Sequence, residues 1–158
     1  MSSVPSQVNP EIVRLLDAVC DLASKHEVFD SARCEDGRVV VHAAEAPEEV
    51  FYRLEWDEGA LYVSWVCADR YISQSIEAEL MWTGDDLDDM IDEELADTGW
   101  THGRLGEMEH FRNDEQLFTF RSAIRVPLDR LDASALLGCL IAYHHAFSEL
   151  GDMKPDED

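Results

Sequence analysis

Residues Glu49–Cys67 read EVFYRLEWDEGALYVSWVC. Val50, Tyr52, Leu54 and Trp56 alternate with Phe51, Arg53 and Glu55; the turn Asp57-Glu58-Gly59 follows, and Leu61, Val63, Trp65 and Cys67 resume the alternation. Side chains two residues apart share one face of a strand, so the segment predicts a β-hairpin with one apolar face. Trp56 and Trp65 fall on that face and are expected in the core. Phe51, Tyr62 and Val66 take the opposite parity; if helices cover only one side of the sheet, these three form an exposed contact or dimer surface.

Working outward, Arg38–Ala43 is rich in valine and predicts another strand after the turn Glu35-Asp36-Gly37. Towards the N-terminus, Asn9-Pro10 is a helix start, and Ile12, Leu15, Leu16, Val19, Leu22, Ala23 and His26 then recur at three- and four-residue spacing. Beyond the hairpin, Ile72, Ile76, Ala78, Leu80 and Trp82 share a parity, which favours a strand over a helix. A second hairpin is expected from Arg104–Phe111 and Gln116–Val126 around the turn Arg112-Asn113-Asp114-Glu115. A last helix starts near Asp129 or Asp132 and runs to about Leu150, burying Leu136, Leu137, Leu140, Ile141, His144 and Phe147.

Between these lies DDLDDMIDEELAD, Asp85–Asp97, with eight carboxylates and no base. Leu87, Met90, Ile91 and Leu95 make one apolar stripe along it, so Asp86–Ala96 is expected to be helical with its acids outward and Thr98-Gly99 as the stop. Like charges one turn apart, such as Asp85/Asp89 and Asp89/Glu93, each cost such a helix roughly 0.2–0.5 kcal/mol at low salt. Salt or a basic partner is therefore expected to tighten it, and Asp88, Asp89, Asp92 and Glu93 are its candidate partner-binding residues.

The expected order is helix, three or four strands, helix, two strands, helix: an α+β domain with helices on a mainly antiparallel sheet of five or six strands. At 158 residues and 46% hydrophobic content the chain suits a single domain, expected over 9–151, with tails at 1–8 and 152–158. Acids outnumber bases 35 to 12, for a formal net charge of -23. Such a surface repels phosphate backbones and anionic lipid, which argues against direct nucleic-acid or membrane binding. Cys20, Cys34, Cys67 and Cys139 are widely spaced with no CxxC pair, and the first residues hold no basic and apolar leader, so a reduced, cytoplasmic protein is expected. High Asp and Glu with only two lysines also fits adaptation to high salt.

This succession, with small size and strong acidity, resembles the YbjN and type III secretion chaperone-like group. The resemblance covers nearly the whole chain and rests on element order and composition. It implies a non-enzymatic dimer that binds another polypeptide, or a bacterial regulatory protein of the YbjN kind.

Reaction and cofactor motifs are not legible. The acid stretch lacks the central glycine of a calcium loop, and carboxylates around a helix diverge. His102, His110, His144 and His145 invite a zinc reading, yet the last two are adjacent on a helix and no cysteine sits at ligand spacing. There is no GxSxG elbow, and Gly103-Arg104-Leu105-Gly106 is too short for a phosphate loop. No enzyme, metal or cofactor is expected. Trp56, Trp65, Trp82 and Trp100 are mostly core, or else part of a peptide-binding face. The leading expectation is a homodimeric module that binds a partner polypeptide through an apolar sheet face or edge; the alternative is an acidic decoy occupying a basic groove of another protein.

Overall fold

In a computed structural model of the protein, residues 10–35, 37–57 and 59–154 are described. The expected tail 1–8, Asn9, the turn residues Asp36 and Glu58, and 155–158 of the expected C-terminal tail lie outside them. In chain order the elements are α1 (Pro10–Ser24), β1 (Phe29–Glu35), β2 (Arg38–Ala43), β3 (Val50–Asp57), β4 (Ala60–Cys67), α2 (Arg70–Thr83), α3 (Leu87–Asp97), β5 (Glu109–Arg112), β6 (Phe118–Ile124) and α4 (Ala133–Phe147). The strands form one antiparallel sheet in the order β1-β2-β3-β4-β6-β5.

The hairpin at Glu49–Cys67 folds as its alternation predicts, in register from Val50 opposite Cys67 to Asp57 opposite Ala60. Tyr52, Leu54, Leu61, Val63, Trp65 and Cys67 are buried on one side, where α1 and α4 pack, whereas Trp56, expected in the core with them, is only half-buried near the turn. Trp65 stacks on Phe147 of α4 with ring centroids 5.6 Å apart, and Phe120 meets both rings at 5.4 Å. Asp132 caps α4 by accepting from Ala135 N at 2.8 Å. In that helix Leu136, Leu140, His144 and Phe147 are buried as expected, whereas Leu137 and Ile141 are half-buried.

Residues 72–82 form a helix, not a strand. Asp69 accepts from Tyr71 N at 2.8 Å to start α2, and Gly84 in the left-handed conformation (φ 76°) closes it by donating to Leu80 O at 2.8 Å. Ile72 and Ile76 sit at four-residue spacing, which satisfies both periods, but Ser73 is buried beside them while Ala78, Met81 and Trp82 are exposed. The fourth strand before α2 is β1, a polar edge strand. The second hairpin is also shorter than expected: β5 begins at Glu109, and before it the main chain touches β6 through Gly106 N to Ala123 O at 2.8 Å.

His144 is buried, 3.2 Å from the Tyr52 hydroxyl. Burial, reinforced by nearby His145 and His42, pushes its imidazole down to about 4 from 6.5. Between those values the unfolded chain binds a proton that the fold excludes. This contribution is full above about 6.5 and is lost as pH falls towards 4. Chemical denaturation from pH 7 to 4 should therefore show stability falling through this window, and His144→Asn, which keeps an acceptor for Tyr52, should reduce the total loss across it by on the order of 1–3 kcal/mol.

Candidate functional site

On the side of the sheet away from α1 and α4, cross-strand register lines up Arg33, Val40, Arg53, Ser64, Arg121 and Glu109, one residue from each strand. The neighbouring rows hold the three aromatic or apolar residues expected to be exposed there. Phe51 lies half-buried beside His42 (5.4 Å) with the Arg33 guanidinium 5.8 Å from its ring centre. Tyr62 is half-buried beneath the Arg121 guanidinium, 3.8 Å above its ring. Val66 is only 2% exposed, which corrects the expectation of a contact residue. Among the described residues no helix covers this face, yet arginine stems and guanidiniums carpet it. It is a polar surface rather than a bare apolar one.

A cleft of about 500 Å³ opens in this carpet, lined by Arg38, Arg53, Ser64, Phe111, Glu115 and Arg121 among others. Glu115, on the β5–β6 turn, accepts from Arg53 Nη1 at 2.8 Å and from Arg38 Nη1 at 3.2 Å. The Arg53 bond is the first cause holding the Glu115 carboxyl below its usual range. Arg121 is tied to Asp57 at 3.0 Å and Glu109 at 3.2 Å. The signal for this cluster was the parity that Arg53 and Ser64 share with Phe51 and Tyr62.

The acidic segment forms α3 with Leu87, Ile91 and Leu95 inward, as expected, and Asp86 as its cap. Three of its four candidate partner-binding carboxylates have partners within the chain. Asp88 accepts from Met108 N at 3.3 Å, with burial holding its carboxyl above the ordinary range. Asp89 and Asp92 pair with Arg104 at 2.9 and 3.6 Å. Glu93 points to solvent. Among the described residues, no three His, Cys, Asp or Glu side chains are grouped to hold a metal.

Ser73, His110 and Glu77 form a line with the bonding pattern of a hydrolase triad. Ser73 Oγ is 3.3 Å from His110 Nε2, and His110 Nδ1 is 2.6 Å from Glu77. The burial runs the wrong way for catalysis: the serine is buried and the acid is the most exposed of the three. The His110 ring also lies flat on Phe120 at 3.9 Å. The line therefore works as a fastener, pinning α2 to the β5 edge.

The outer side of α2 presents Tyr71, Ala78, Met81 and Trp82, all exposed, with Met81 at 86% and Trp82 at 89%. Trp82, expected in the core, is the most exposed large apolar side chain among the described residues. Tyr71, Ala78 and Trp82 recur at seven and four residues, a helical spacing that a strand reading conceals.

Glu93 has Asp89 and Asp97 one turn to either side. Glu93→Gln should raise stability by about 0.2–0.5 kcal/mol in urea melts at low salt, the gain shrinking in molar salt. Asp89→Asn should gain less, because it also removes a partner of Arg104. A fluorophosphonate probe should leave Ser73 unlabelled by intact-mass analysis; labelling abolished by Ser73→Ala would restore the catalytic reading. No family model, curated protein or solved structure matches the chain.

Proposed function

We propose that this protein is a non-catalytic binding module that takes a partner polypeptide on the outer stripe of α2. The exposure of Met81 and Trp82 carries this reading. A soluble domain gains about 25 cal/mol for each Å² of apolar surface it removes from water, so two such side chains left out of the core mark a contact site.

The chemistry of the partner follows from the surroundings. The chain has 35 acids, yet α2 holds only Glu77 and Glu79, and both are engaged, with His110 and Lys154 respectively. Asp69 precedes the helix, and Asp85 and Asp86 follow it. The fitting occupant is an amphipathic segment with an apolar face on Tyr71, Ala78, Met81 and Trp82 and bases at its ends, a helix-to-helix mode of recognition. The edges of the sheet are less suited to strand addition: β5 is four residues long and carries Glu109 and Arg112, and β1, beyond the buried Phe29, carries the exposed charges Asp30, Arg33 and Glu35 and a bulge between Phe29 and Ser31. A polypeptide-binding role accords with what the secretion-chaperone-like resemblance implies.

The test is capture from lysate by wild-type and Trp82→Glu protein, washed at low and high salt, with sedimentation of each protein alone. Retention at high salt that Trp82→Glu abolishes supports the proposal. Retention indifferent to Trp82→Glu and lost in salt points to an acidic decoy and overturns it. A dimer in sedimentation that Trp82→Glu dissolves makes a second copy the occupant, with salt favouring assembly by screening -23 against -23.

A further inference from the structure

We propose that the cleft on the outer sheet face is a carboxylate-binding site, neutralised at rest by the chain's own Glu115 and opened to a ligand carboxylate when that side chain leaves. The site is independent of the α2 stripe.

Two buried polar groups point to a ligand. Arg53 is 8% exposed and Ser64 1%, and they face each other directly across β3 and β4. Among the described residues neither Arg53 Nε nor Ser64 Oγ has a hydrogen-bond partner, although both residues line the cleft. An unpaired buried donor is costly, and a guanidinium presents its Nε and Nη donors as a fork matched to the two oxygens of a carboxylate. Glu115 leaves that fork unused: its Oε1 takes Nη1 of both Arg53 and Arg38, and the Nε side of the Arg53 guanidinium stays bare. A carboxylate entering from the cleft can take Nε and Nη2, the two donors on one side of the guanidinium, and accept from the Ser64 hydroxyl.

The resident acid is displaceable. Glu115 is an exposed residue on a turn whose hinge is local: Asn113 Oδ1 accepts from Glu115 N at 2.9 Å and from Leu117 N at 3.0 Å. Gln116 sits at φ 65°, a left-handed conformation that side chains other than Asn, Asp and His seldom adopt. Charge balance favours exchange of one acid for another. Arg38, Arg53, Arg112 and Arg121 line the cleft against Glu55, Asp57, Asp114 and Glu115, so removal of Glu115 leaves one guanidinium in excess. Phe111 at the rim offers apolar contact to the body of an organic acid. The ligand is therefore a carboxylate on a small carbon frame, either a free organic acid or the side chain of an acidic peptide.

The direct readout is the Nε–H resonance of Arg53 in proton–nitrogen correlation spectra, titrated at fixed ionic strength with succinate, with a capped glutamyl peptide, and with chloride as control. A saturable shift with either carboxylate and none with chloride is expected, tightening about tenfold or more in Glu115→Ala, the worth of one charge-assisted hydrogen bond. The tighter of the two carboxylates identifies the source. Ser64→Ala should weaken binding without moving the Arg53–Glu115 contact. If Glu115→Ala does not fold, Glu115→Gln carries the same comparison, since it removes the charge and keeps the shape. An Arg53 Nε–H that ignores both carboxylates in the folded variants, or that answers chloride equally, overturns the proposal.

Discussion

The stacking of Trp65 on Phe147 joins the sheet to the helices. Trp65 sits in the middle of β4, with Tyr52 and Phe120 as its partners on either side, so one ring cluster ties β3, β4, β6 and α4. Truncating a buried aromatic of this kind costs about 3–5 kcal/mol, a large share of the stability of a small domain. The cluster also sets the outer face. A one-residue slip of β4 would turn Trp65 outward and Ser64 inward, so the row from Arg33 to Glu109 exists because the aromatic core locks the register.

Charge is the second constraint. With a net charge of -23, the molecule repels itself, and the fold distributes that repulsion unevenly. Acids crowd the solvent side of α3, where Arg104 reaches across to Asp89 and Asp92. Of the ten arginines, Arg33, Arg38, Arg53 and Arg121 are spent on the outer face of the sheet, a concentration the composition alone conceals. They replace a covering helix layer, lying over Phe51 and Tyr62 and pairing with Glu35, Glu55, Asp57, Glu109 and Glu115.

Most of the fold was legible where one period dominates. The hairpin from Val50 to Cys67, the stripe of α3 and the body of α4 follow from alternation or from three- and four-residue spacing. Reading failed where two periods coincide. Ile72, Ile76 and Leu80 are separated by four, which suits both a strand face and a helix face; the capping pair Asp69 and Gly84 decides between them. β1 escaped because in FDSARCE only the small Ala32 and Cys34 alternate with polar residues, a weak signal that suits an edge strand half in water. The site was less legible than the fold. Phe51, Tyr62 and Val66 were assigned to the correct face, but whether that face is bare depends on where neighbouring arginines lie, a tertiary fact.

The exposure of Trp82 follows from how α2 is held. Turning the helix by half a revolution would bury the stripe, but its inner side is fixed by polar contacts as well as by Ile72 and Ile76. Ser75 Oγ accepts from Asp152 N at 2.8 Å, Glu79 accepts from Gly151 N and Lys154 Nζ at 3.2 Å, and His110 holds Ser73 and Glu77. Gly151, at φ 47°, lies so close to Ser75 that a Cβ there would overlap it. These contacts select one rotation of α2 and would be lost in any other. A helix retained only by greasy packing would turn to hide its tryptophan; one keyed through hydrogen bonds on its inner side cannot, and so its outer side stays apolar and open.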